Sequence, residues 1–427
     1  MIFRQRVAPV EKYLVTFAKW GILGLCMGVI GGLLGAAFHH VLHFVTHFRL
    51  ENGWIVWLLP LGGLLSVGVF LLLGQSRNRG TNQIIDAVLH EDSVSPKVAP
   101  LIFTVTAITH LFGGSAGREG AALQLGGSVG STLGRALKLQ EGERTVLTMS
   151  GMCAVFAGLF GTPLTACIFV LEFTAVGRIF TPALVPCFLA SFTAWQTAGK
   201  LGVHAEGYLL ENALPVDMTV MGQMVVLSIA LGVLGICMCR LFHKAEHLAV
   251  EKIPKPWLRI VIGGAVVAVM TALVGDQRFN GAGMDMALEA VAGHADWYSF
   301  ALKLIFTAVT LAAGFKGGEI VPTFCIGATF GCVLGGLLGM DPGIAAALGL
   351  VGLFCCGTNA PIASIILSIE LFGTANLYHF AFVCVLVFLL SGHSSLYGSQ
   401  IQKYKKTAMS RAESKKSLAH SGEREYT

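Results

Sequence analysis

Charge is scarce in this chain. Only 12% of its 427 residues are Asp, Glu, Lys or Arg, while 54% are hydrophobic. Soluble globular proteins carry about 25% charged residues. Too few polar side chains remain to cover a water-facing surface, which excludes a soluble domain with an outsized core. The apolar runs 20–38 (WGILGLCMGVIGGLLGAAF) and 54–74 (WIVWLLPLGGLLSVGVFLLLG) are each long enough to cross about 30 Å of hydrocarbon as helices. The expectation is an all-α polytopic membrane protein. CxxC pairs and His/Cys clusters at zinc spacing are also missing. The eleven cysteines are scattered through apolar runs and read as small buried hydrophobes, so neither a disulfide scaffold nor a metal site is expected. No cofactor and no nucleic-acid partner are implied.

A cleavable signal peptide is not recognisable either. Arg4, Arg6, Lys12 and Lys19 precede an apolar run that is too long and has no convincing cleavage site. The tail 402–427 holds seven Lys/Arg against three Glu and reads as a solvated end, too short for an appended regulatory domain. By the excess of basic residues on cytoplasmic segments, both ends are expected in the cytoplasm.

Apolar segments recur at 20–40, 54–74, 98–112, 119–135, 146–158, 163–175, 178–199, 219–241, 258–275, 299–314, 321–339, 343–356, 360–372 and 377–391. Several are too short to span a bilayer alone, and many begin or end at Gly or Pro. Such interrupted segments point to a transporter built from inverted repeats with a site near the membrane midplane. The repeat is visible. TPLTACIFVLEF (162–173) resembles APIASIILSIELF (360–372), with Pro163 and Pro361, and Glu172 and Glu370, each 198 residues apart. GREGAALQLGGSVGSTLG (117–134) resembles GGEIVPTFCIGATFGCVLG (317–335), and RGTNQIIDAV (79–88) has a weaker echo in GAGMDMALEAV (281–291). Three collinear pairs at nearly one offset indicate duplication. The expected organisation is a cytoplasmic segment 1–15, repeats over 16–205 and 206–400, and a basic cytoplasmic tail 401–427.

The glycine-rich breaks near Gly80–Ile84, Gly117–Gly120 and Gly317–Pro322 carry the chemistry. Glycine lets the backbone bend and approach a ligand. A helix N-terminus offers unpaired N–H groups and partial positive charge, which bind an anion without burying a full cation. A carboxylate there, Glu119, takes the anion's place while ionised and swings away once protonated, linking anion passage to proton movement. Intramembrane ionisable residues are functional by default. Arg118 reads as structural, bound to backbone carbonyls. The string GGSAG (113–117) fits the G-x-S-x-G pattern of serine hydrolases, but membrane-type helices flank it and no partner His stands in a matching motif, so Ser115 is not expected to be a nucleophile. His39, His40, His43 and His47, at helical spacing, read as a membrane-interface cluster rather than a metal face or proton relay. Glu172 and Glu370, ending equivalent runs, read as structural caps.

GSAGREGAALQLGGSVGS (114–131) resembles the GREGP-type signature of the CLC family of anion channels and anion/proton antiporters. KGGEIVPTFCIGATFG (316–331) is similar to that family's GxFxP signature, and SSLYGSQI (394–401) to its late segment with a central tyrosine, Tyr397. RGTNQIIDAV stands where the family has GSGIP. The resemblance covers roughly 15–400. It implies the CLC-type inverted repeat of tilted and broken helices, a homodimer with one anion pathway per subunit, a bacterial inner-membrane location, and Glu119 as the gating glutamate. The departures select a subclass. Gly80-Thr81-Asn82-Gln83-Ile84 replaces GSGIP, Ala121 follows GREG, and Glu319 and Ile320 replace an apolar residue and the phenylalanine. Together they resemble the fluoride/proton antiporter branch. Phe173 and Thr174 follow Glu172 in place of a second, inner proton glutamate. On this resemblance Gly80, Thr81, Asn82, Gly117, Gly120, Glu319, Ile320, Val321 and Tyr397 form the anion path, with fluoride or chloride and protons as partners and lipid as solvent. A chloride/proton antiporter or chloride channel of the same family is the alternative.

Overall fold

The computed structural model describes residues 2–75, 79–204, 207–210, 212–402 and 406, without the side chains of 2–12. Arg4, Arg6 and Lys12, and most of the basic tail, therefore lie outside the described residues. Sixteen α-helices occur among the described residues, eight in each half. The first half holds α1 (Ile2–Glu51), α2 (Leu59–Leu73), α3 (Thr81–Leu89), α4 (Val98–Leu111), α5 (Glu119–Ala136), α6 (Glu141–Phe160), α7 (Pro163–Glu172) and α8 (Leu184–Lys200). The second holds α9 (Met218–Lys252), α10 (Pro256–Val274), α11 (Met284–Val291), α12 (Ser299–Ala313), α13 (Ile320–Leu337), α14 (Pro342–Thr358), α15 (Pro361–Phe372) and α16 (Leu377–Leu390). Order corresponds helix by helix, and lengths agree closely except in the first pair, where α1 has 50 residues and α9 has 35. Among the described residues, five stretches are long and apolar enough to cross a membrane: Tyr13–Glu51, Gly53–Leu73, Met218–Lys252, Pro256–Val274 and Ile320–Leu337. The protein is an all-α membrane protein of broken and unbroken helices.

Two helices escape a reading of apolar runs. α3 and α11 have nine and eight residues, and each buries only one face. At that length they register as motifs and not as spans. α1 also extends well past the apolar run 20–40 at both ends.

Small residues set the packing around the centre. A Cβ on Gly126 of α5 would lie 2.0 Å from the Gly151 oxygen of α6, and one on Gly327 of α13 would lie 2.4 Å from the Gly349 oxygen of α14. The same close crossing thus occurs once in each half. Glycine is a poor helix former by roughly 1 kcal/mol against alanine. Its use here follows from backbone-to-backbone contact, as membrane helix pairs favour.

The halves are fastened to each other through helix ends. Pro163 and Pro361 open α7 and α15, where a missing N–H costs nothing. The next N–H groups cross to the other half. Leu164 and Thr165 each donate to a Glu370 oxygen at 2.8 Å, while Ile362 and Ala363 donate to the Glu172 oxygens at 3.2 and 2.8 Å. Each glutamate therefore caps the equivalent helix of the opposite repeat, where its negative charge also meets the positive helix end. A second fastening is the parallel pairing of β1 (Ala175–Val176) with β2 (Ile401–Gln402). Beside it the Gln400 amide donates to the carbonyls of Phe173 and Thr358.

Candidate anion and proton site

The breaks before α5 and α13 meet at the middle of the molecule. Gly117 and Gly318 exchange both backbone hydrogen bonds, at 2.6 and 2.7 Å, across the two halves. That pairing sets the N-termini of α5 and α13 side by side. Glu119, the first residue of α5, is fully buried there. Its Oε2 accepts from the backbone N–H of Arg118 at 3.1 Å and of Val321 at 3.2 Å. Val321 belongs to the first turn of α13. The carboxylate of one repeat thus occupies the anion position at the helix end of the other. Among the described residues its Oε1 has no hydrogen-bond partner.

The glycines leave room for that carboxylate. A Cβ on Gly117 would sit 2.3 Å from Glu119 Oε2, and one on Gly318 would sit 2.7 Å from it. A Cβ on Gly120 would lie 2.6 Å from Thr81 Oγ1. Gly117→Ala is therefore expected to displace the carboxylate and to lower proton-coupled anion flux by about 100-fold, the cost of shifting a positioned group by roughly 1 Å. Proton uptake into protein-loaded liposomes measures this, and size-exclusion chromatography of the variant shows whether it remains assembled.

Glu119 itself lines a small, mostly apolar pocket of about 20 Å³ with Phe156, Phe160, Thr162 and Phe324. Two larger cavities are lined by other residues of the site and not by Glu119. One, of about 150 Å³, is lined by Gly80, Thr81, Asn82, Gln124, Lys316, Gly317, Glu319 and Tyr397, and by Phe242, His243 and Glu246 of α9. The other, of about 310 Å³, is lined by Arg118, Val321, His110 and the C-terminal turns of α1 from His39 to Leu50. α1 and α9 are equivalent helices, and so are α3 and α11. Yet α9 and α3 line the first cavity, while α1 and α11 line the second. That exchange is what inversion of one repeat relative to the other produces.

Polar groups in the smaller cavity come from distant parts of the chain. Gly80 takes φ 65° ahead of α3, a conformation glycine adopts without strain, and so turns Thr81 and Asn82 into the cavity. Asn82 Oδ1 accepts from Ser399 N–H at 3.0 Å, which anchors the segment carrying Tyr397. The Tyr397 ring stands edge-on to Phe173, and among the described residues its hydroxyl has no hydrogen-bond partner. Glu319 Oε2 also has none. Of the residues singled out in the sequence, Ile320 and Glu119 are fully buried and line neither of these two cavities. Gly120 and Gly117 contribute close approach rather than lining.

Several polar residues here were not singled out from the sequence. Gln124 donates to Gly120 O at 3.0 Å and lines the smaller cavity with Lys316. Lys303 is fully buried and donates to Ser115 Oγ at 3.0 Å, Phe279 O at 3.1 Å and Gly281 O at 2.7 Å. Lys303 is the only charged residue of an apolar segment, a signal that marks it for attention. His110 is likewise alone in α4. Lys303 also settles the role of Ser115. With all three protons donated, the ammonium has no lone pair to act as a base, and Ser115 is itself fully buried and bonded to Thr307 and Thr310. The serine fastens a loop. Arg118 lies over the Phe160 ring at 5.2 Å and within 3.4 Å of His39 Nδ1. Of the four histidines, His39, His43 and His47 line the larger cavity, while His40 turns to Leu201 O.

Comparison with known proteins agrees with this architecture. The family profile described as voltage gated chloride channel matches residues 74–391. A chloride/fluoride channel protein of Pseudomonas syringae pv. tomato is 33% identical over 394 residues, covering 91% of this chain and 87% of that protein. The crystal structure of a CLC-type fluoride/proton antiporter superposes with a TM-score of 0.87 at 32% identity, over 90% of this chain and 98% of that one. A slow cyanobacterial Cl⁻/H⁺ antiporter superposes with a TM-score of 0.75 over 87% of this chain and 94% of that one, at 20% identity, which speaks for the fold alone.

Proposed function

This chain belongs to the voltage-gated chloride channel family, and from that premise we propose that it exports fluoride from the bacterial cytoplasm in exchange for protons. The observation that carries the reading is Glu119: a fully buried carboxylate held by the N–H of the opposite repeat's helix. Ionised, it fills the anion's place. Protonated, it loses its attraction to the helix end and yields that place to the anion. The names of a similar protein, a chloride/fluoride channel protein, and of a similar structure, a fluoride/proton antiporter, support fluoride as the anion. Fluoride is small and strongly hydrated, so its path must supply close hydrogen bonds. Thr81, Asn82 and Tyr397 bring hydroxyl and amide donors to the smaller cavity, and Glu319 becomes a donor when protonated. In this reading Gly80, Gly117 and Gly120 admit the anion to the backbone, Val321 supplies an N–H, and Ile320 shapes the path from the core. Both chain ends lie in the cytoplasm, so the smaller cavity faces inward and the larger outward. The assembly is a homodimer with one path per subunit.

The test uses liposomes loaded with fluoride or with chloride, following anion efflux by ion-selective electrode and proton uptake by pH electrode. Fluoride-selective efflux with proton uptake is the expected result. Equal or greater chloride flux would identify a chloride member of the family. In the same assay Glu319→Gln is expected to cut fluoride-coupled proton uptake by at least about tenfold. Unchanged uptake would remove Glu319 from the path.

A further inference from the structure

Three histidines stand one above another on α1. The His39 and His43 ring centroids are 6.3 Å apart with planes at 13°, and those of His43 and His47 are 6.3 Å apart at 22°. At one end His47 Nδ1 lies 3.3 Å from a Glu51 oxygen. At the other, His39 Nδ1 lies 3.4 Å from the Arg118 guanidinium. All three rings line the larger cavity. Its lining includes Arg118 and Val321, the two residues whose N–H groups hold the buried Glu119 Oε2. The row thus ends, at His39, beside Arg118, the residue next to Glu119.

We infer that this row collects protons at the outer mouth and delivers them to Glu119. The inference rests on the antiport reading above. Histidine is the side chain whose charge changes between about pH 5 and pH 8, which suits it to pass protons near neutrality. A proton from external water binds an imidazole nitrogen of His47 or His43, passes to His39, and then to the Glu119 carboxylate. Glu119 becomes a neutral carboxyl and each imidazole returns to its neutral form. Ring spacing exceeds a hydrogen bond, so each transfer runs through water, for which a cavity of about 310 Å³ has room. Other charged and titratable groups face the row. Arg49 and Glu51 come from α1 and His110 from α4. Arg118 precedes α5. Arg278 precedes α11 and is matched by Glu289 and Asp296, and Asp285 and Glu289 lie on α11 itself. A proton on His39 meets the positive Arg118, and transfer to the Glu119 carboxylate relieves that repulsion.

The inverted repeat supplies an internal comparison. His243, His247 and Glu251 stand 200 residues after His43, His47 and Glu51, and His247 lies 3.7 Å from Glu251. Inversion carries His243 to the opposite cavity. Cys239 replaces the third histidine there, so a complete row exists at one mouth only.

The experiment measures fluoride efflux and proton uptake in liposomes at outside pH from about 5.5 to about 7.5. His43 and His47 are exposed, so their replacement spares the core. The double variant H43Q/H47Q is expected to turn over about tenfold more slowly than wild type at the neutral end. It should approach wild type in acid, keep its anion-to-proton ratio, and regain speed when imidazole buffer is added outside. H43R/H47R keeps charge but cannot relay, and should be as slow. His40→Gln should leave the pH profile unchanged. A wild-type profile in H43Q/H47Q, or wild-type rates in H43R/H47R, would overturn the inference while leaving antiport standing. Absence of fluoride-driven proton uptake in the wild type would overturn the antiport reading itself, and the row's role with it.

Discussion

Glu119→Gln is expected to reduce fluoride-driven proton uptake by about 100-fold or more, the usual scale for losing a positioned proton-transfer group. The substitution is sterically mild. A glutamine carbonyl can accept from the N–H groups of Arg118 and Val321 as Oε2 does, and its amide then stands where Oε1 has no partner. The helix ends and the Gly117–Gly318 pairing should survive, and the protein should elute as the wild type does. What the amide cannot do is take up and release a proton, or change its affinity for the helix end on doing so. A pH electrode reading uptake during fluoride efflux decides the matter. Persistent uptake would move the proton to another carrier, of which Glu319 is the nearest candidate in the adjoining cavity.

Lys303→Met is expected to destabilise the protein by about 2–4 kcal/mol, the scale for leaving a pair of buried carbonyls without their donor. Methionine matches the length and apolar stem of lysine but donates nothing. The carbonyls of Phe279 and Gly281 and the hydroxyl of Ser115 would lose the donor that the fully buried Lys303 supplies, and each unsatisfied buried group costs about 1–3 kcal/mol. The consequence reaches the gate, because Ser115 lies in the loop that leads into Gly117 and Glu119. Thermal unfolding in detergent, followed by loss of the monodisperse peak, should show the variant failing at clearly lower temperature. A stability equal to wild type would mean that water replaces the ammonium and that the network is not closed.

Much of this protein was legible in its sequence. Scarcity of charge dictates a lipid environment, since apolar faces with no polar cover need an apolar solvent. The recurrence of Pro163 with Glu172 and of Pro361 with Glu370 announces duplication. A capping role for the two glutamates is readable there too, because a carboxylate at the end of an apolar run needs backbone donors. That each caps the other repeat's helix is not readable, because local spacing says nothing about a partner some 190 to 206 residues away. The run around Glu119 shows its purpose in part: glycines at a helix start make space, and an isolated carboxylate there invites a charge-switching role.

Tertiary structure decided the rest. Sequence periodicity sees one helix at a time, so it places His39, His43 and His47 on one face of α1 but cannot say whether that face meets lipid, interface or cavity. Short helices such as α3 and α11 bury too few residues to announce themselves, and only the inversion of the repeats sends their N-termini to opposite sides of the gate. Lys303, Gln124 and Lys316 acquire meaning from carbonyls, hydroxyls and cavities assembled from remote segments. The sequence by itself determined the solvent, the repeat and the chemistry available at the breaks, because these follow from composition and local spacing. Only the fold could bring Gly117 against Gly318 and so set Glu119 on the helix end of the other half, because that contact depends on how two inverted copies pack and not on any property of either copy alone.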